Sequence, residues 1–179
     1  MYEFEISASS SRYPVVIARD SWKTAVVDAD YVVADEFFRA SLDEEVLSRT
    51  VFVEASEAGK SLQTCESVLT RLHELGARRG ATVIGVGGGV VQDVTTLVAS
   101  LYMRGLPWVY VPTTAMAMTD SCIGGKSSIN LGRVKNLVGN IYPPASVRVD
   151  SSLAMTLSAA DKVAGLAEAV KICFARGAE

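Results

Sequence analysis

One histidine, three cysteines and 7% aromatic residues mark what this chain of 179 residues has little of. His73 has no second histidine beside which to bind a metal, so a histidine-rich metal site is excluded. It stands among the charged residues of a helical stretch and reads as solvent-facing, which also removes it from a Ser/His/Asp triad. Cys65, Cys122 and Cys173 are widely spaced, odd in number and never arranged as C-x-x-C. That excludes a disulfide framework and a zinc knuckle and fits a reducing cytoplasm. The longest uncharged stretches are broken by Pro107, Pro112 or glycine runs, so no bilayer span and no membrane partner are expected. The opening Met1-Tyr2-Glu3-Phe4-Glu5 is acidic and does not read as a signal peptide. Positive charge is not in excess: the net charge of −3 excludes a general nucleic-acid binder.

What is present is ordinary for a globular domain, 49% hydrophobic and 21% charged, with length for one large domain or one and a half small ones. The charge is unevenly placed. From Arg104 to Arg148 the segment carries +4 and the remainder −7, which suggests a localised anion site in an acidic protein.

The most informative stretch is Gly85-Val86-Gly87-Gly88-Gly89-Val90-Val91-Gln92-Asp93. It follows the run Ala81-Thr82-Val83-Ile84 and opens a helical pattern, as a phosphate-binding turn does. The glycines let backbone approach a diphosphate, and the helix N-terminus offers unpaired N–H groups. Val90 stands where the last glycine of G-x-G-x-x-G belongs, so the signal is partial.

Strand-like and helix-like segments alternate. Tyr2–Ile6, Tyr13–Ile17, Thr24–Val27, Tyr31–Ala34, Thr50–Glu54, Thr82–Val86, Trp108–Val111 and Val147–Val149 read as strands. Glu36–Ala40, Lys60–Arg78, Val91–Met103 and Ala159–Arg176 read as helices, the last with Ser158 as N-cap and Asp161 behind it. Ala115–Tyr142 is irregular and polar. The alternation predicts an α/β fold, a parallel sheet with helices on both faces, whose ligands bind beyond the carboxyl ends of the strands.

Asp120, Lys126, Asn130, Lys135 and Asn136 cluster in the irregular segment. Lysines bind phosphate or carboxylate as point charges, and asparagines orient hydroxyls, which suits a small hydroxylated anion such as a sugar phosphate. Glu168 and Lys171 share one face of the last helix, where a surface ion pair is the ordinary reading.

Six ordered blocks carry a resemblance. They are Gly87-Gly88-Gly89-Val90 with Asp93; Tyr102-Met103-Arg104-Gly105; Val111-Pro112-Thr113-Thr114; Asp120 to Lys126; Lys135-Asn136-Leu137-Val138-Gly139; and Gly165 to Lys171. From about Tyr31 to Arg176 the chain resembles 3-dehydroquinate synthase and its sugar phosphate cyclase relatives. The resemblance implies a Rossmann-like sheet, tightly bound NAD, a sugar phosphate substrate, a divalent zinc-type metal, a homodimer and a cytoplasmic setting. Asp35, Glu57 and Lys60 then match adenosine and ribose contacts. Gly88, Gly89, Val90 and Asp93 match diphosphate and nicotinamide-ribose positions, with Thr113 and Thr114 beside them, and Thr156 and Leu157 match further cofactor contacts. Asp120, Lys126, Asn136 and Lys171 match catalytic and substrate positions, with Lys135 and Asn130 adjacent. Arg104 matches an arginine that reaches a phosphate across a dimer interface, and Glu168 matches one of three zinc ligands.

The family's other two zinc ligands are histidines of a helical second domain, which this sequence does not contain. The chain therefore reads as a cofactor-binding half: residues 1–150 an NAD-binding domain, 151–179 the start of the helical one, and the whole a truncated chain, a fragment or a split-gene product. Gln92, Thr95-Thr96 and Ser127-Ser128 depart from the usual residues and leave the substrate open among dehydroquinate-, valiolone- and inosose-type chemistry. Two other readings stand beside this one: an iron-dependent alcohol dehydrogenase, and a non-catalytic nucleotide-binding or dimerising protein.

Overall fold

The structure, a computed structural model, describes residues 1–7 and 11–177, Arg176 by its backbone alone. Its strands are β1 (Tyr2–Ser7), β2 (Arg12–Ala18), β3 (Tyr31–Asp35), β4 (Thr50–Val53), β5 (Val83–Gly87), β6 (Trp108–Pro112), β7 (Ile129–Leu131), β8 (Val134–Val138) and β9 (Ser146–Asp150). Its helices are α1 (Trp22–Val27), α2 (Glu44–Leu47), α3 (Leu62–Glu74), α4 (Gly89–Leu101) and α5 (Ala159–Arg176). Seven strands form one sheet in the order β1-β2-β9-β6-β5-β3-β4, and β7 and β8 form a separate hairpin. The expected parallel sheet is present with one exception, the edge strand β1, which pairs antiparallel with β2.

Chain direction across the sheet reverses between β3 and β5. From β3 the chain steps outward to β4; from β5 it steps the other way to β6 and β9. The crevice beyond the carboxyl ends of β3 and β5 is thus the switch point of an open α/β sheet. Side chains alternate across the sheet. Val33 and Val83 join Leu72 of α3 and Val94 and Val98 of α4 on one face. Val32, Ala34, Ile84 and Val86 join Trp22 and Val26 of α1, with Phe38 and Leu153, on the other. Covered on both faces, these strands read as continuous apolar runs, and burying each Val or Ile stabilises the fold by about 1.5–3 kcal/mol.

Gly85 sits directly under α4: a Cβ there would stand 3.0 Å from Thr95 Oγ1. The missing side chain lets helix and strand approach, and the buried Thr95 fills the space.

Several expected boundaries shift. Thr24–Val27 is not a strand but part of α1. Trp22 and Val26, four apart, point into one core, and the helix start is capped from far away. Asp150, at the end of β9, accepts from the N–H groups of Asp20 (3.0 Å), Ser21 (2.6 Å) and Trp22 (2.8 Å). α3 is shorter than Lys60–Arg78 and starts at the Ser61 cap, which accepts from Thr64 N at 3.1 Å. α4 begins at Gly89 and ends at Leu101, and Met103 (φ 47°) and Arg104 (φ 72°) adopt left-handed backbone after it. Ala115–Tyr142 contains a π-helical turn, Ala117–Ser121, and the β7–β8 hairpin, whose loop uses Gly132 at φ 59°. Ser158 caps α5 as expected, accepting from Asp161 N at 3.1 Å.

Candidate functional site

At the switch point β5 ends in Gly87, whose carbonyl accepts from Thr113 N and from the buried Tyr110 hydroxyl, each at 3.0 Å. Gly88 is the N-cap of α4 and supplies no side-chain cap. A Cβ on Gly88 would lie 2.8 Å from Thr114 Cγ2, so glycine brings the turn against Thr114. Gly89 is exposed and faces open space. The first-turn N–H groups of a 13-residue helix are therefore uncapped by any side chain and approachable, with the positive end of the helix dipole behind them. Val90 is half-buried against the core.

Beside this turn lies a cleft of about 220 Å³ lined by Asp35, Phe37, Phe38, Thr113, Thr114, Thr156, Leu157 and Asp161. Five of these were singled out in the sequence, from segments more than a hundred residues apart. Asp35 is fixed by accepting from Phe37 N at 3.0 Å, and Thr156 by donating to the Leu153 carbonyl at 2.7 Å. A larger groove of about 370 Å³, between α1 and the sheet beside Arg148, gathers none of the candidate residues.

In the second turn of α4, Asp93 pairs with Lys60 at 2.6 Å, with both side chains about seven-eighths buried. Burial pushes the Asp93 carboxyl above its ordinary value, an effect that Lys60 and the Ser128 N–H only partly offset. Glu57, near Lys60, is exposed. Its carboxylate accepts from Asn130 Nδ2 at 2.8 Å and lies 3.4 Å from Lys135 Nζ. The Asn130 carboxamide, with the lysines behind it, holds the Glu57 carboxyl below its usual value. Asn136 sits at a bulge of the hairpin with φ 57°, and its N–H donates to Asn130 Oδ1 at 2.9 Å.

Asp120 and Lys126 are exposed on the following turns. Two residues that sequence reading did not assign hold those turns. Gln92, buried in α4, donates from Nε2 to the Ser121 carbonyl at 2.6 Å and accepts from Ser121 Oγ at 2.8 Å. Tyr13 accepts from Gly124 N at 2.9 Å. Gln92 was visible as a departure from the family pattern, whereas nothing local marks Tyr13.

Glu168 and Lys171 form an i,i+3 ion pair on α5. The helix leans on the Ala117–Ser121 turn through Gly165, where a Cβ would overlap Ala115. Among the described residues no group of three or more His, Cys, Asp or Glu is arranged to hold a metal ion, so Glu168 has no companion ligands there. His73 is exposed on α3. Arg104 is exposed beyond the far end of α4, roughly 20 Å from the glycine turn at 1.5 Å per helical residue. The structure therefore gathers Asp35, Thr113, Thr114, Thr156 and Leu157 in one cleft, pairs Lys60 with Asp93, and leaves Arg104 at the opposite end of the sheet. Among the described residues no helix is long and apolar enough to cross a membrane.

Comparison with known proteins agrees with this fold. A 3-dehydroquinate synthase of Methylacidiphilum infernorum is 45% identical over 119 residues, 66% of this chain and 33% of that protein. A crystal structure of 2-deoxy-scyllo-inosose synthase complexed with carbaglucose-6-phosphate, NAD+ and Co2+ superposes with a TM-score of 0.85 at 25% identity, over 95% of this chain and 50% of that one. ValA, the 2-epi-5-epi-valiolone synthase from Streptomyces hygroscopicus subsp. jinggangensis 5008 with NAD+ and Zn2+ bound, gives a TM-score of 0.76 at 28% identity, over 92% of this chain and 50% of that one. The chain spans a third to a half of the length of these relatives. The model of the 3-dehydroquinate synthase N-terminal family matches residues 50–164, well over half of the chain, and the protein belongs to that family.

Proposed function

We propose that this chain is the NAD-binding half of a sugar phosphate cyclase of the 3-dehydroquinate synthase type, a carbon–oxygen lyase working in the cytoplasm. Residues 1–150 form the cofactor domain, and 151–179 open the helical domain that completes the site. The observation that carries the reading is the meeting of the uncapped α4 N-terminus at Gly88-Gly89 with the cleft of Asp35, Thr113, Thr114, Thr156 and Leu157. The residues fit a dinucleotide: the exposed Gly89 leaves room for a diphosphate, and Asp35 and Glu57 offer carboxylates to ribose hydroxyls. In this reading Asp93, which pairs with Lys60, accepts from the nicotinamide ribose. When bound, NAD supplies reversible hydride acceptance for a substrate alcohol.

Lys126, Lys135 and Lys171 attract the anionic substrate, and Asn136 and Asp120 orient its hydroxyls, with Asn130 beside them. The metal does not fit this chain by itself, since Glu168 is paired with Lys171 and has no further ligands among the described residues. The isolated chain should bind NAD without turning over a sugar phosphate. Arg104, about a sheet's length from the glycine turn of its own chain, serves a second copy, which makes the protein a homodimer.

Calorimetric titration of the purified chain with NAD tests the reading. Stoichiometric NAD binding that Gly89→Asp abolishes supports it, because a carboxylate at the helix start would repel the diphosphate. Absence of NAD binding by the folded wild type overturns it.

A further inference from the structure

Three elements meet at Asn130. Its backbone N–H donates to the Lys60 carbonyl at 3.0 Å, so the hairpin strand β7 lies along the Glu57–Ser61 segment. Its side-chain Nδ2 donates to Glu57 Oε1 at 2.8 Å and to the Glu57 carbonyl at 3.3 Å. Its Oδ1 accepts from the N–H of Asn136. Only this orientation of the carboxamide satisfies all three partners, since a flipped amide would set oxygen against carboxylate and NH2 against N–H. Asn136 itself holds a left-handed backbone at the hairpin bulge, and Lys135 precedes it. From Leu131 to Leu137 the hairpin is exposed throughout. Ile129, buried, and Val138, partly buried, pack the base of the hairpin on the core, and beyond them its ties to the body run through Asn130 and the exposed Lys135–Glu57 pair. A surface pair of that kind contributes little by itself.

We infer that Asn130 is a positioning residue that joins the hairpin bearing Lys135 and Asn136 to the Glu57–Lys60 turn, so that NAD held at that turn orders the hairpin for the sugar phosphate. The inference rests on the cofactor reading above. Asn130 touches neither reactant in this role. It acts through Glu57 on one side and the Asn136 backbone on the other. The coupling is reciprocal: whatever fixes the bulge also fixes Glu57.

The test is amide hydrogen exchange of residues 129–138 with and without NAD, alongside calorimetry, for the wild type, Asn130→Ala and Asn130→Asp. In the wild type, NAD should slow exchange along the hairpin. In Asn130→Ala, NAD should still bind, roughly tenfold more weakly, but the hairpin should no longer respond to it. Asn130→Asp keeps the acceptor for Asn136 N–H and sets a second carboxylate against Glu57, with Lys135 and, further back, Lys60 and Asp93 the charged groups facing the pair. Its hairpin should be loose at neutral pH and regain the NAD response below about pH 5, where two adjacent carboxyls share a proton. A merely structural asparagine would not show that pH dependence. Glu57→Ala breaks the same link from the other side and, at NAD concentrations that calorimetry shows to be saturating for that variant, should reproduce the lost response. NAD-dependent protection that persists in Asn130→Ala and Glu57→Ala overturns the inference while leaving the cofactor reading intact. A wild type that does not bind NAD overturns both.

Discussion

Every residue from Val83 to Gly88 is buried, whereas Val163, Leu166, Val170 and Phe174 along α5 are 64, 64, 68 and 89% exposed. Both regions carry candidate site residues. The glycine turn is built into the middle of a seven-stranded sheet, with Thr113, Tyr110 and Thr114 locking it. α5 touches the body chiefly through Gly165 and the Ala117–Ser121 turn. The glycine-turn side is thus set in advance by the fold, while Glu168 and Lys171 ride on an element with few buried contacts. Such an element opens at lower free energy than the sheet.

The firm side should break most readily at Asp150. This carboxylate is fully buried and receives three N–H groups from the start of α1, together with Ser152 N at 2.8 Å and Ser152 Oγ at 2.7 Å. Burial raises its pKa, but Ser152, Trp22 and Ser21 together outweigh burial and hold it below the ordinary value. Asp150→Ala leaves several buried donors unpaired and should cost about 4 kcal/mol in urea unfolding. A depressed folded-state pKa means that the ionised form stabilises the fold. That stability is complete above the ordinary Asp value near 3.9 and is lost as pH falls toward the lower folded value. The wild type should lose this contribution below about pH 4, and Asp150→Asn should show a flatter acid limb. Equal acid profiles would show that the carboxylate does not hold α1 to β9.

Gly87→Ala probes the same region by crowding. A Cβ there would overlap the Val91 side chain, and overpacking of a rigid core should cost about 3 kcal/mol. Val91→Ala in the same chain should restore part of the loss, as neighbouring substitutions couple. Independent, additive effects would mean that the turn is less tightly built than α4 and β5 indicate.

The sequence displayed the firm region well and the loose one poorly. Strands covered on both faces show as apolar runs, and a glycine turn between strand and helix can be read directly from Gly87-Gly88-Gly89. α1 could not be read this way. Thr24-Ala25-Val26-Val27 is a short β-branched run, and the carboxylate that caps its helix lies about 130 residues downstream. The β7–β8 hairpin hid in polar sequence because its strands bury little beyond Ile129, so no alternation marks them. The candidate residues were found in groups, but their partners were not. Lys60 with Asp93, Asn130 with Glu57 and Gln92 with Ser121 join segments between 29 and 73 residues apart, and such pairing is set by topology rather than by local pattern.

Asp93→Ala moves the comparison from stability to binding. The residue is mostly buried and paired with Lys60, and its loss should weaken NAD by roughly 1–3 kcal/mol, the range for removing a buried polar contact. Lys60→Met in the same background should add little if Lys60 acts by holding Asp93. Calorimetry on variants with unchanged unfolding midpoints decides it, and full NAD affinity in Asp93→Ala would remove Asp93 from the cofactor site.

The smallest effect belongs to α5 and bears most directly on the contrast. Gly165 is the buried point where the helix meets Ala115, and a Cβ there would overlap that residue and its backbone. Gly165→Ala should therefore push α5 off the Ala117–Ser121 turn. It should also raise the intrinsic helicity of α5, since alanine is favoured over glycine by about 1 kcal/mol. The two effects oppose, and neither touches the sheet. The global unfolding midpoint should stay within about 0.5 kcal/mol of wild type. Amide exchange, by contrast, should quicken at the Ala117–Ser121 turn and leave Val83–Gly87 unchanged. Gly87→Ala and Gly165→Ala are the same chemical change at two buried glycines. A loss of 1 kcal/mol or more from Gly165→Ala would show that α5 is integrated with the sheet and that the contrast fails. A silent midpoint with faster local exchange would establish that Glu168 and Lys171 sit on an element whose placement the sheet does not set.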